Sequence, residues 1–277
     1  MTLRQIAHKI YPDSMRKRVR FVLKASISGK HYIYEMQSIF EDSKLQAIID
    51  ANPRQYEKIF RPYLYASLKL QDRMEFVKNH YEFTKQHWSE ELIKAVYVDR
   101  SFQLARVDIS PDGENHVTIY LSRETSFANE GEIFVALNDM NGNMLFALNF
   151  NFIRESDTNG ILISCMKGAA GEGSRDAIRE ITKDMHGLRP HHLLLFVLQS
   201  MAGFYGFGVI KAISTQAHVY NATGRGERIK TDYDGFWEEA VARWLMMDFI
   251  FCRFVKSERV CKRSRVTRER CIEDDSR

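Results

Sequence analysis

The chain has 277 residues, 44% of them apolar and 27% charged, an ordinary globular composition with material for one large core or two modest ones. No stretch approaches the roughly 18 uncharged apolar residues that span a bilayer, and MTLRQIAHKIYPDSMRKRVR at the start has no apolar run that could serve as a secretory signal, so a cytoplasmic location is expected. The net charge of +4 sits in the tail: residues 241–277 hold ten Lys+Arg against six Asp+Glu, and the rest is balanced. A neutral body without a nucleic-acid motif argues against a nucleic-acid partner.

In chain order, residues 1–98 read as helical. Ser14 to Ser28 carries Val19, Phe21, Val22, Leu23 and Ile27, with Arg16, Lys17, Arg18 and Arg20 near its start. Leu68 to Trp88 places Leu70, Met74, Val77, Tyr81 and Trp88 at helical spacing. Asn52-Pro53 and Arg61-Pro62 mark breaks. The basic stretch Arg16 to Arg20 reads as a solvated helix start or, alternatively, as a dock for anionic lipid through a helix with an apolar face.

From Phe102 the period changes to two. Phe102–Ile109, Val117–Leu121, Ile133–Leu137, Met144–Ile153 and Ile161–Ile163 predict about five strands. Short turns join them, among them Ser110 to Asn115, in which Pro111, Asp112 and Gly113 each have a role, and the hairpin signal Asp139 to Gly142. Such spacing predicts a largely antiparallel sheet. A helix then runs from Ser174, a good N-cap type, to His186 and ends at Gly187; a second opens at Pro190 and is apolar nearly all round. Val209 to Ser214 reads as one more strand, and Phe236 to Trp244 begins a last helix.

Between the fifth strand and the helix from Ser174 lies KGAAGEGS. Backbone amides at a strand–turn–helix junction can hold an anion, and Lys167, Gly168, Gly171, Gly173 and Ser174 are the candidate cofactor-binding residues. Acetyltransferases of the GNAT type hold a coenzyme A pyrophosphate on a similar loop, although here Gly168 stands where they carry Gln or Arg. The alternative is a tight turn whose glycines supply positive φ. His218, just past a core strand, is the candidate catalytic base, with a satisfied structural histidine as the alternative. His186, Arg189, His191 and His192 cluster without convergent ligands, and the four cysteines, three of them in the tail (Cys252, Cys261, Cys271) and one in the body (Cys165), fit no zinc spacing. No metal is expected, and the cofactor is left unassigned.

GEGSRDAIREITKDMHGLRPHHLLLFVLQ, VIKAISTQAHVY and KTDYDGFWEE together resemble the VirK/YbjX family of Gram-negative bacteria, over most of residues 60–239, with HGLRP and DYDGFWEE the most specific segments. The resemblance implies a cytoplasmic protein tied to virulence and the cell envelope. Its relatives are linked to antimicrobial peptide resistance and to display of virulence proteins at the surface. Expected partners are an envelope or surface virulence protein or its biogenesis machinery, with peripheral contact at the inner membrane. After FWEE the family pattern continues with Gly-Gly, whereas this chain reads AVARWLMMDFIFCRF. A two-base shift restores that pattern, so residues from about Val241 read as a shifted frame and as a poorly ordered basic tail. Sequencing the gene across the codons for Glu239 to Arg243 checks this, and an intact frame in fresh DNA ends the idea.

The expected fold is α+β, a helical N-terminal region (1–98), an α+β region (99–240) with a sheet of about five or six strands, a GNAT-like arrangement among its forms, and a divergent tail (241–277). Two functions are expected in alternation. One is an accessory factor supporting cell-envelope integrity or surface expression of a virulence membrane protein. The other is a GNAT-like acyl or aminoacyl transferase using a phosphorylated donor such as acyl-coenzyme A.

Overall fold

The computed structural model describes residues 1–110, 113–123, 129–169, 171, 173–229, 231–244 and 252–255. Pro111 and Asp112 of the first expected turn lie outside them, as does most of the tail. The N-terminal region is helical as expected: α1 (Leu3–Ile10), α2 (Met15–Ser28), α3 (Lys30–Phe40), α4 (Ser43–Ala51), α5 (Leu70–His87) and α6 (Glu90–Tyr97), with a 3-10 helix at Pro53–Phe60. Local chemistry sets the ends. Ser14 and Ser89 accept the Lys17 and Leu92 amides as N-caps of α2 and α6, and α4 stops at Ala51, two residues before Pro53.

The sheet runs β1 (Phe102–Asp108), β2 (His116–Ser122), β3 (Ile133–Asn138), β4 (Met144–Glu155), β5 (Thr158–Gly168), β6 (Val209–Ile213) and β7 (Cys252–Val255), in that spatial order. β1 to β5 pair antiparallel, and β6 joins β5 in parallel through the crossover α7 (Ser174–Asp184) and α8 (Pro190–Phe204). β7 adds to β6 in parallel after α9 (Tyr233–Trp244). The fold is therefore α+β with a mostly antiparallel sheet, one strand larger than the alternation implied. Helices and sheet share one hydrophobic core, from Leu3 in α1 to Ala240 in α9.

One expectation changes. A helix apolar nearly all round should lie buried against the sheet, but α8 is not buried all round: Leu194, Leu195, Leu198 and Ala202 face the core, while Phe196 and Phe204 are exposed. α2 buries only Phe21 and Ala25, leaving Val19, Leu23 and Ile27 at the surface. Periodicity shows that a face is apolar, not that something covers it. No helix among the described residues is long and apolar enough to cross a membrane.

The seam between helices and sheet is polar at its centre. Glu132, immediately before β3, is 1% exposed. Its carboxylate accepts from Lys58 Nζ at 2.8 Å, Tyr63 at 2.7 Å, and Tyr81 and Gln55 at 2.8 Å each. Asn151 of β4 closes the ring, its Oδ1 accepting from the Glu132 amide at 2.9 Å and its amide donating to the Tyr63 hydroxyl at 2.7 Å. Arg123 donates to Gln55 Oε1. Beside this ring, buried His80 accepts the Phe152 amide through Nδ1 at 3.0 Å and bonds Tyr97 through Nε2.

Burial opposes the Glu132 charge, but Lys58, His80 and Arg123 together hold its carboxyl down at about 2. Burial, aided by the Lys58 and Arg123 charges and opposed by Glu132, takes His80 down to about 3. Both groups bind protons more tightly in the unfolded chain, so acid favours unfolding. Stability is expected to fall progressively as pH drops from about 6.5, where unfolded His80 titrates, towards 2. At pH 7, Glu132→Gln strands the buried Lys58 charge and is expected to cost on the order of 3–5 kcal/mol. Urea denaturation across that pH range checks both; a flat profile with a near-neutral Glu132→Gln would remove the hub from the stability account.

Candidate functional site

β5 pairs with β4 to its end at Gly168, and its parallel pairing with β6 covers Gly160–Ile163 against Val209–Ala212. The divergence follows from local geometry. Between the pairs Phe150↔Ile163 and Asn149↔Cys165, Ser164 is an extra residue in β5, and such a bulge bends its strand. β6 meanwhile turns away at Ser214, whose carbonyl and hydroxyl both accept from the Ala217 amide. α9 fills the resulting wedge from one side. The Tyr233 hydroxyl accepts from the Met166 amide at 3.0 Å and lies 3.2 Å from the Met166 carbonyl, while Trp237 Nε1 donates to the Ile213 carbonyl at 2.9 Å.

What remains of the wedge is a cavity of about 390 Å³, lined by Glu130, Cys165, Met166, Lys167, Gly168, Ala169, His218, Tyr220, Ile229, Thr231 and Tyr233. The Ser164 hydroxyl of the bulge donates to the Glu130 carbonyl and reaches the Asn149 carbonyl at 3.3 Å, so the same irregularity that opens the wedge anchors Glu130 beside Cys165. His218 is held by an isolated bridge to Tyr65, and its Nδ1 accepts from the Tyr220 amide at 3.2 Å. In the neutral ring Nε2 then carries the proton. Next to this bridge Leu64, fully buried, has φ 58 and gives its amide to the Asn129 carbonyl at 2.9 Å. A branched residue in that region costs on the order of 1–2 kcal/mol, carried here by the segment that braces both Asn129 and His218.

One ligand atom each from Glu130, Cys165 and His218 lies within 4.8 Å of the other two, and all three residues are buried. Burial raises the Glu130 carboxyl, while Tyr220, Lys167 and Cys165 pull it partly back. Burial and the neighbouring Glu130 push the Cys165 thiol far up, so it stays protonated. Burial takes His218 down to about 4 and keeps it neutral; burial and Glu130 move Tyr220 up to about 12. The centre is thus a buried carboxylate that accepts protons readily, ringed by donors. One of its oxygens, Glu130 Oε2, has no hydrogen-bond partner within the protein. Sulfur, imidazole and carboxylate are also the donor types of zinc sites, and three protein ligands is the count of a catalytic one, so these side chains could hold such an ion.

A family model described as a protein of unknown function, DUF535, matches residues 11–247. The chain belongs to this family. Among relatives, the uncharacterized protein YbjX of Escherichia coli K12 is 25% identical over 80% of this chain and 67% of its own length, in line with the VirK/YbjX resemblance. Two uncharacterized proteins of Haemophilus influenzae are 26% and 23% identical over shorter stretches, 30% and 40% of this chain and 28% and 36% of theirs. No solved structure matches.

The two segments most specific to the VirK/YbjX resemblance lie at and beside the wedge. DYDGFWEE supplies the Tyr233 and Trp237 that cap the diverging strands. HGLRP opens α8, where Arg189 lies 3.7 Å from Glu239 of α9 and His192 stacks on Phe236, so one segment steadies the other.

Of the residues expected to act, Lys167, Gly168 and His218 meet in the cavity. Lys167 and Gly168 belong to β5 and pair with Ala147 and Phe146, and the next amide, Ala169, donates to the Leu145 carbonyl at 2.8 Å. Gly171 and Gly173 form the turn, with φ 114 and 80. Gly173, not Ser174, is the N-cap of α7, and Ser174 is its first residue. The residues sequence reasoning missed are Glu130 and Cys165. Their signal was a lone cysteine inside an apolar strand and an acidic pair flanking Gly131 at the entry to another.

Tyr233→Phe leaves the buried Met166 amide without a partner and is expected to cost about 1–3 kcal/mol. Thermal melting checks it; a loss below a few tenths would show that the capping bond is not what holds α9 in the wedge.

Proposed function

We propose that the cavity between β5 and β6 is the centre of an acyl- or aminoacyl-transferring enzyme with Glu130 as general base. The observation that carries the reading is a buried carboxylate with a raised pKa and one unbonded oxygen, enclosed with Tyr220, Lys167 and His218 at the foot of a glycine-containing turn. A buried carboxylate shifted towards neutrality is suited to take a proton at physiological pH.

In this reading a thioester on a phosphorylated carrier is the donor, its phosphates near Lys167 and the Gly171–Gly173 turn, and an amine is the acceptor. Glu130 removes a proton from the attacking nitrogen, the nitrogen–carbon bond forms and the carbon–sulfur bond breaks. The proton passes from Glu130 to the departing thiolate. Neutral His218, with Nε2–H, is the donor available to the developing oxyanion, while the Tyr220 hydroxyl holds Glu130. Cys165 is not the nucleophile here, because its surroundings disfavour the thiolate. It positions Glu130.

Thermal shift with coenzyme A and acyl-coenzyme A tests binding, since a ligand of the folded state raises the melting temperature. Acyl transfer to a panel of amines tests chemistry. Glu130→Gln is expected to lower kcat by roughly 10²–10⁴-fold, and Cys165→Ala to stay within about tenfold. Equal loss in both variants, with alkylation of Cys165 by iodoacetamide, would replace the base by a thiol nucleophile. No stabilisation by any acyl thioester would put the accessory envelope role in front.

A further inference from the structure

α2 turns an uncovered apolar ridge outward. Met15, Val19, Leu23 and Ile27 follow one another at intervals of four, which puts them on one helix face; they are 69%, 49%, 57% and 83% exposed. The buried residues of the helix, Phe21 and Ala25, point to the opposite side. A ridge of large aliphatic side chains standing in water is unfavourable by its whole exposed area and marks a contact surface.

The flanks of the ridge differ. Towards α1 lies a groove of about 500 Å³ lined by Ala7, Met15, Val19, Val22 and Leu23 together with Arg4, His8 and Arg18. On the other side is a cavity of about 420 Å³ whose charged lining is Lys17, Arg20, Lys24, Arg54, Arg61 and a single carboxylate, Glu57. That carboxylate is already engaged by the Tyr11 hydroxyl and the Arg61 guanidinium. Among the described residues no carboxylate forms an ion pair with Lys17, Arg20, Lys24 or Arg54. Lys17 and Arg54 lie over the Tyr11 ring at 5.8 and 5.9 Å, and Lys24 donates to the Phe60 carbonyl at 2.8 Å, so the cations are gathered around one hollow. Five cations share this hollow with one carboxylate, and the Lys24 pKa is held down by burial and by Arg20, Arg61 and Arg73, with Glu57 opposing, so an entering anion is favoured.

We infer that this face docks on an anionic phospholipid surface, the ridge entering the acyl region and the cationic hollow taking a headgroup phosphate. Only an interface offering apolar depth beside negative charge matches both features at once. A second copy of the chain does not, because a two-fold contact sets the same patch against itself and brings two such hollows together.

The test is co-sedimentation of the full chain with vesicles of phosphatidylcholine alone and of phosphatidylcholine with about one third phosphatidylglycerol. Binding is expected to the anionic vesicles and to weaken with salt. Leu23→Ser/Ile27→Ser and Lys17→Glu/Arg20→Glu are each expected to weaken it at least tenfold, with melting temperatures within a few degrees of the parent because these side chains are at the surface. A soluble arm adds inorganic phosphate. If phosphate raises the melting temperature and vesicles do not bind, the hollow serves a free anion and the membrane assignment falls. Equal binding to neutral vesicles, or binding untouched by both double variants, also overturns it. So does a dimer in sedimentation velocity that Leu23→Ser/Ile27→Ser converts to a monomer while vesicles stay unbound.

Discussion

Everything in this fold is arranged around one carboxylate placed where water cannot reach it. Glu132 takes bonds from the 3-10 helix (Gln55, Lys58), from the segment after it (Tyr63) and from α5 (Tyr81), while its own amide is tied to Asn151 of β4. A buried charge is tolerable only when its partners are complete. That requirement fixes the helical region on the sheet at a single register, because a shift of either layer would strand Glu132 or Lys58. The surrounding aromatic layer, with His80 stacked on Phe152 and Phe83 close to both Phe152 and Phe207, supplies apolar burial but little directional demand.

The constraint reaches the cavity through two residues of backbone. Gly131 separates Glu132 from Glu130, and its carbonyl accepts from Lys58 at 3.0 Å. A Cβ on Gly131 would come within 3.3 Å of Ser164 Oγ and 3.4 Å of Asn149 Cβ and Phe150 N, so the chain passes close against the β5 bulge at this point. The stabilising hub and the candidate base are thus held by one short segment, one acid satisfied fully and the next left with an oxygen unbonded. Bulge, divergence of β5 from β6, and capping by Tyr233 and Trp237 are parts of the same device. It opens a cavity in a sheet while Tyr233 and Trp237 take up the Met166 amide and the Ile213 carbonyl at its edge.

The alternating apolar runs of the middle of the chain announced the sheet because a strand with one covered face must alternate; Pro53 marked a break and Pro190 a helix start because the ring lacks an amide hydrogen. The glycine turn was legible as a turn for the same kind of local reason. Glu130 and Cys165 were not legible as a pair: they are 35 residues apart, one in the turn before β3 and the other inside β5, and neither sits in a spacing that chemistry requires. His218 was found by its place after a strand, but its neighbours Tyr65 and Tyr220 come together only through a bridge to the N-terminal region.

Sequence by itself determined that the N-terminal region is helical, that the middle of the chain is a mostly antiparallel sheet followed by two helices, and that the body carries no net charge, since these depend on neighbours a few residues away and on composition. Tertiary structure alone decided that the apolar face of α2 stays uncovered, that two carboxylates one residue apart have opposite fates, and that β5 leaves β6 after Ile163. Those outcomes depend on which distant side chains complete a buried charge and which backbone groups find partners. Contacts of that kind exist only once the layers have closed.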